Sequence, residues 1–130
     1  MEAVVPNELP EREESLWMLT LSPGIWAAHF LASYLTAAIW CAKVADRSQP
    51  LGAARTAIIV YTLAAVAGIA CTGWVGYRRV SFESDHMPHD DATPLDRHRF
   101  LGFATLLLSA LSAVATLFVA AVILFVKTCD

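Results

Sequence analysis

FLGFATLLLSALSAVATLFVAAVILFV, residues 100–126, contains no Asp, Glu, Lys or Arg. A helix needs about 20 apolar residues to cross a hydrocarbon core of about 30 Å, so this stretch is long enough to span a bilayer. Two further uncharged runs are long enough as well, residues 15–42 and residues 56–77. Lipid offers no partner to a backbone amide, which leaves α-helices and closed barrels as the spanning structures. None of the three runs alternates apolar and polar residues as barrel strands do. The expected fold is therefore all-α, an integral membrane protein with three transmembrane helices over about 16–42, 56–77 and 100–126.

Composition agrees. The chain of 130 residues is 57% hydrophobic and 16% charged, with a mean hydropathy of +0.54. That is too apolar for an ordinary soluble domain of this size. Residues 1–14 hold Glu2, Glu8, Glu11, Glu13 and Glu14 against one base, Arg12. A secretory signal starts basic and ends at a small-residue cleavage site, so the first run reads as a retained span behind an acidic N-terminal tail, and residues 15–130 as one transmembrane domain. The net charge of −3 comes with no basic stripe, and no nucleic-acid partner is expected. The longest connection, residues 78–99, leaves no room for a soluble catalytic domain.

Ser22-Pro23-Gly24 reads as the start of the first helix or a bend in it. Ser22 suits an N-cap and Pro23 a first turn. Leu16-Trp17-Met18-Leu19 then forms either an interfacial turn anchored by Trp17 or a kinked extension of the span. Gln49-Pro50-Leu51-Gly52 marks the first hairpin, and Thr93-Pro94 precedes the third helix.

Loop charge decides orientation weakly. The tail and second loop carry five Lys/Arg, the first loop and C-terminus four. Arg78-Arg79 and Arg97/Arg99 lie directly against spans, which favours a cytoplasmic N-terminus and a periplasmic C-terminus. The cysteines add to this. Cys41 closes the first helix and Cys129 follows the third, and these helices run the same way, so both thiols emerge on one membrane face. If that face is oxidising, the two are placed for a disulfide. The alternative is two unrelated small residues at helix ends.

His29 is the one ionisable side chain within a span, tyrosines and cysteines aside. Helical spacing places Trp26, His29, Ser33, Thr36 and Trp40 on one stripe, more polar than the rest of the helix and expected to face protein. His29 reads as a haem or metal ligand, as part of a proton relay, or as a neutral imidazole bonded to Tyr61, a serine or a threonine of a neighbouring helix. No second histidine at ligand spacing accompanies it, which favours the last. Ala64, Gly68, Thr72 and Gly76 recur every four residues on the second helix. Thr105, Ser109, Ser112 and Thr116 recur at spacings of 4, 3 and 4 on the third. Small residues in rows let helix backbones approach closely and let hydroxyls bond across them. Such rows serve packing within the bundle or docking onto a partner's helices.

In the second loop His86, Met87 and His89 bring imidazole and thioether donors together, a conceivable copper or zinc patch. Flexibility around Pro88 argues for a solvated acidic loop instead. There is no phosphate-binding Gly-rich loop, nucleophile elbow, metalloprotease helix motif or CxxC. Enzyme activity is not expected of this chain, and neither is a resident cofactor, with haem or copper as the alternative.

The segment Pro23-Gly24-Ile25-Trp26-Ala27-Ala28-His29-Phe30-Leu31, followed by Tyr34 and Cys41, resembles a group of small bacterial three-helix membrane proteins. Their genes lie beside those of haem-copper terminal oxidases and their assembly factors. Asp96-Arg97-His98-Arg99-Phe100-Leu101 and the late Cys129 resemble the same group. Members often carry prolines before the final cysteine, and Phe125-Val126-Lys127-Thr128-Cys129 has none. The resemblance covers the first and third helices. It implies a respiratory setting in the bacterial inner membrane, as an accessory subunit or assembly factor of a cytochrome oxidase acting by helix packing against other membrane subunits. The other readings are a haem- or copper-handling protein using His29 or His86/His89, and a stand-alone homo-oligomer packing through the Ala64–Gly76 row.

Overall fold

The computed structural model describes residues 11–44, 51–81, 94–126 and Cys129. Helix α1 covers Glu11–Ile39 and continues as a π-helical turn, Trp40–Val44; α2 covers Gly52–Ser81 and α3 Pro94–Phe125. No strand occurs among the described residues. Three segments are long and apolar enough to cross a membrane: Leu16–Lys43, Gly52–Ser81 and Arg99–Phe125. The chain is an all-helical membrane protein of three spanning helices.

α1 does not start at Ser22. It begins at Glu11, inside the expected acidic tail, and passes through Pro23 as one helix. An irregular backbone at residues 22–24 would leave amides without partners at membrane depth, whereas a continuous helix gives up only the bond that Pro23 has no N–H to make. α2 has 30 residues. At about 1.5 Å per residue that is about 45 Å, the thickness of a bilayer with its headgroup regions. Arg55 and Arg78 each stand three residues inside an end of this helix, where long cationic side chains reach out to the polar layer.

α1 and α3 run one way and α2 the other. Each helix contacts the other two, α2 and α3 most extensively. The distribution of side chains is the reverse of a soluble protein's. The buried polar residues are Ser22, His29, Ser33, Thr62, Thr72, Thr105, Ser109, Ser112 and Thr116, while Leu63, Leu111, Phe118 and Phe125 are exposed. Water would reject such a surface; a hydrocarbon solvent accepts it, and the driving force for association passes to close backbone approach and interhelical hydrogen bonds.

Close approach is greatest between α2 and α3. A Cβ at Gly76 would lie 3.0 Å from the Gly102 carbonyl oxygen and 3.3 Å from the Leu106 nitrogen. One at Gly73 would lie 3.2 Å from Ser109 Cβ. At the other end of the bundle, Cys41 in the π-helical turn is disulfide-bonded to Cys129, with the Cα atoms 5.7 Å apart. This ties the end of α1 to the segment after α3.

Candidate functional site

The interior carries two polar layers. The first joins all three helices through side chains alone. Ser22 Oγ of α1 lies 2.7 Å from Thr72 Oγ1 of α2 and 2.7 Å from Ser109 Oγ of α3. Thr72 gives its one proton to its own helix, at the Ile69 carbonyl (2.8 Å) or the Gly68 carbonyl (3.1 Å). Ser22 must then donate to Thr72, and Ser109 to Ser22. The chain Ser109 to Ser22 to Thr72 to backbone is directional, because a hydroxyl has one proton to give.

The second layer centres on His29, which is 4% exposed. Its Nε2 lies 2.9 Å from Thr62 Oγ1 on α2 and 3.4 Å from Ser33 Oγ one turn on. Thr62 donates to the Ile58 carbonyl at 2.7 Å. Its oxygen is therefore an acceptor towards the ring, and His29 carries its proton on Nε2. Nδ1 is then a lone pair with no partner, and Trp26 Nε1 and Trp40 Nε1 are likewise buried without one. All three atoms belong to the stripe Trp26–His29–Ser33–Thr36–Trp40. Thr36 bonds back to the Ala32 carbonyl. Trp26 also stacks on Phe30 and Phe30 on Tyr34, with centroids 6.3 and 6.4 Å apart, so an aromatic ladder leads from this stripe onto the exposed side of α1.

The partner of His29 is Thr62, one of the threonines expected, and not Tyr61. Tyr61 is 40% exposed. Each residue turns a helix by about 100°, and the buried face of α2 runs through Ile58, Thr62, Ala65, Ile69, Thr72 and Gly76.

The same geometry corrects the four-residue row on α2. Gly68 meets Ile25 of α1, with 3.2 Å from its ideal Cβ to Cδ1, and Thr72 and Gly76 are buried, but Ala64 is exposed. Steps of four overshoot a 3.6-residue turn by about 40° each, so three of them carry Ala64 some way round the helix from Gly76. The row on α3 steps 4, 3 and 4 and drifts less. Thr105, Ser109, Ser112 and Thr116 are all at most 6% exposed, and all face their own bundle.

Ser22, Thr62, Gly73 and Gly102 carry contacts that sequence reasoning does not assign to the interior. A signal exists for two of them. Gly102 extends the alternating spacing of α3 backwards by three, and Thr62-Ala65-Ile69-Thr72-Gly76 alternates in the same way.

Within the described residues no group of three or more His, Cys, Asp or Glu is placed to hold a metal ion. His29 would supply one donor, Nδ1, from a closed layer whose other ring nitrogen is already engaged. His86, Met87 and His89 lie outside the described residues. What the geometry can do chemically is hold three helices in register through hydroxyls, an imidazole and close backbone contacts. No protein-family model, curated protein or solved structure matches the chain.

Proposed function

We propose that this chain is a non-catalytic accessory subunit or assembly factor that docks onto a larger membrane complex, and that the complex is a haem-copper oxidase of a bacterial inner membrane. The observation that supports this reading is that the buried polar residues are bonded within the bundle while large apolar and aromatic side chains lie outside it. Ser22, Thr72 and Ser109 bond one another, Thr62 binds His29, and Gly76 meets Gly102. The outward surface carries many large side chains, among them Phe30, 48% exposed, and Tyr34, 62% exposed, which continue a stack begun at the half-buried Trp26. Aromatic side chains at this density suit a protein contact. The respiratory assignment rests on the resemblance at Pro23–Leu31 and Asp96–Leu101.

The orientation follows from redox chemistry. A structural disulfide persists on the oxidising side of a membrane. The Cys41–Cys129 end accordingly faces the periplasm, and with three crossings the N-terminus lies in the cytoplasm. An alkaline phosphatase fusion after residue 130 is active in this arrangement and inactive in the reverse one.

Solubilisation in a mild detergent, followed by affinity capture of the tagged chain, tests the function. Oxidase subunits and an oxidase haem spectrum co-elute if the reading holds, and a chain that migrates alone under conditions that keep the oxidase intact refutes it. The buried, unpartnered Nδ1 of His29 favours a second reading, a cofactor-handling protein. A Soret band in the isolated chain that disappears in His29→Leu would support it.

A further inference from the structure

The close contact of α2 and α3 at Gly76 and Gly102 does not continue along their length. Towards the disulfide end a cavity of about 100 Å³ opens between them, lined by Ile58, Ile59, Thr62, Leu63, Ala120, Ile123 and Leu124. Ile59, Leu63 and Leu124 are well exposed, so the cavity faces the surroundings of the bundle and not its interior. Thr62 adds little polarity, because its hydroxyl is committed to the Ile58 carbonyl and to His29.

A cation crowns this groove. Arg55 precedes Ile58, Ile59, Thr62 and Leu63 by three, four, seven and eight residues, which puts all five on one face of α2. Its Nη2 donates to the Leu124 carbonyl at 3.2 Å, across the mouth. That bond holds the guanidinium in place and engages one of its five N–H donors. Among the described residues at this end the charged side chains are Lys43 and Arg55, both basic. α2 also begins here, at Gly52, so its positive dipole end lies one turn above the groove. A Cβ at Gly52 would meet nothing within 4 Å, which leaves that end open.

We propose that Arg55 and the α2–α3 groove form a binding site for one anionic phospholipid in the leaflet at the disulfide end. An acyl chain fills the apolar groove, and the phosphate takes the remaining guanidinium donors. The occupant has to be apolar below and anionic above, because the lining is aliphatic and the rim is a guanidinium, and it has to reach the site from the bilayer. A phospholipid with an anionic headgroup meets all three conditions. Arg55 stands about 4.5 Å inside the end of a helix about 45 Å long, at headgroup depth. This site is independent of whether the chain serves an oxidase.

The test uses the full chain in mixed micelles of phosphatidylglycerol and phosphatidylcholine, transferred to lipid-free detergent and weighed by native mass spectrometry. One phosphatidylglycerol is retained in preference to phosphatidylcholine. Arg55→Gln removes the charge and lowers retention about fivefold, the effect of one basic residue at an anionic surface. Ala120→Phe fills the groove, leaves Arg55 in place and lowers retention as well. A free-thiol count of one per chain, that of Cys71, confirms that each variant still forms the Cys41–Cys129 bond. Equal retention of both lipids, undiminished retention in Arg55→Gln, or displacement by inorganic phosphate alone overturns the proposal. So does a lipid-free dimer that Ala120→Phe disrupts, since a second copy would then be the occupant.

Discussion

Gly76 and Gly102 meet backbone to backbone: a Cβ on Gly76 would come within 3.0 Å of the Gly102 carbonyl, and a Cβ on Gly102 within 3.3 Å of the Gly76 carbonyl. The closest atom to a Cβ at Gly76 is backbone, and Thr105 Cβ, Arg79 Cβ and Val80 Cγ2 close the rest of the contact at 3.3–3.4 Å, so an added methyl at Gly76 cannot be accepted by moving a rotamer. Gly76→Ala should force the helices apart and destabilise the bundle by about 1–3 kcal/mol, the usual result of overpacking a filled contact. Gly68→Ala should cost less, because its Cβ meets only the flexible end of Ile25. Gly24→Ala, with nothing within 4 Å, should be neutral or stabilising by up to about 1 kcal/mol through helix propensity. Unfolding in mixed micelles against increasing SDS orders the three, and any other order contradicts the packing described.

Removing Ser22 should be felt on all three helices. Ser22→Ala takes away the acceptor of Ser109 and a donor to Thr72 at once, and is expected to destabilise by about 1–2 kcal/mol. Thr20→Ala is the control, since Thr20 bonds only to the Trp17 carbonyl on an exposed face. The same micelle titration should show Thr20→Ala within about 0.5 kcal/mol of the parent.

The His29–Thr62 pair should show measurable coupling. A double-mutant cycle of His29→Leu and Thr62→Val is expected to give an interaction energy of about 0.6 kcal/mol, the average for hydrogen bonds between membrane helices, and no more than about 1.7 kcal/mol. A coupling indistinguishable from zero would mean that His29 is not bonded to Thr62. Tyr61→Phe should leave stability unchanged, because Tyr61 lies outside the buried face.

The disulfide should be visible as a thiol count. Denatured and unreduced, the chain should take one maleimide-polyethylene glycol label, and three after reduction, since Cys41 and Cys129 are paired and Cys71 is free. The bridge closes a sequence separation of 88 residues. In water a loop of that size would contribute about 4–5 kcal/mol by the chain-entropy estimate. A bilayer already restricts an unfolded chain whose helices remain inserted, so reduction should lower stability by less than about 4 kcal/mol here.

The long uncharged runs alone determine that this is a three-helix membrane protein, because lipid gives the backbone no alternative partner along a stretch of that length. Chain direction alone brings Cys41 and Cys129 to the same membrane face, and spacing alone puts Thr105, Ser109, Ser112 and Thr116 on one side of α3. Tertiary structure decides the neighbours. Helical period names a face but not what lies across from it, so Thr62 as the partner of His29, the burial of Ser22 within a continuous α1, and the contact of Gly76 with Gly102 all depend on how the helices are rotated and shifted against each other. Ala64 shows the limit most plainly: its four-residue spacing has the form of a seam, and only the phase of α2 against α1 and α3 turns it outward. Whether two thiols on one face are also within bonding distance is a lateral question of the same kind, decided by packing and not by order along the chain.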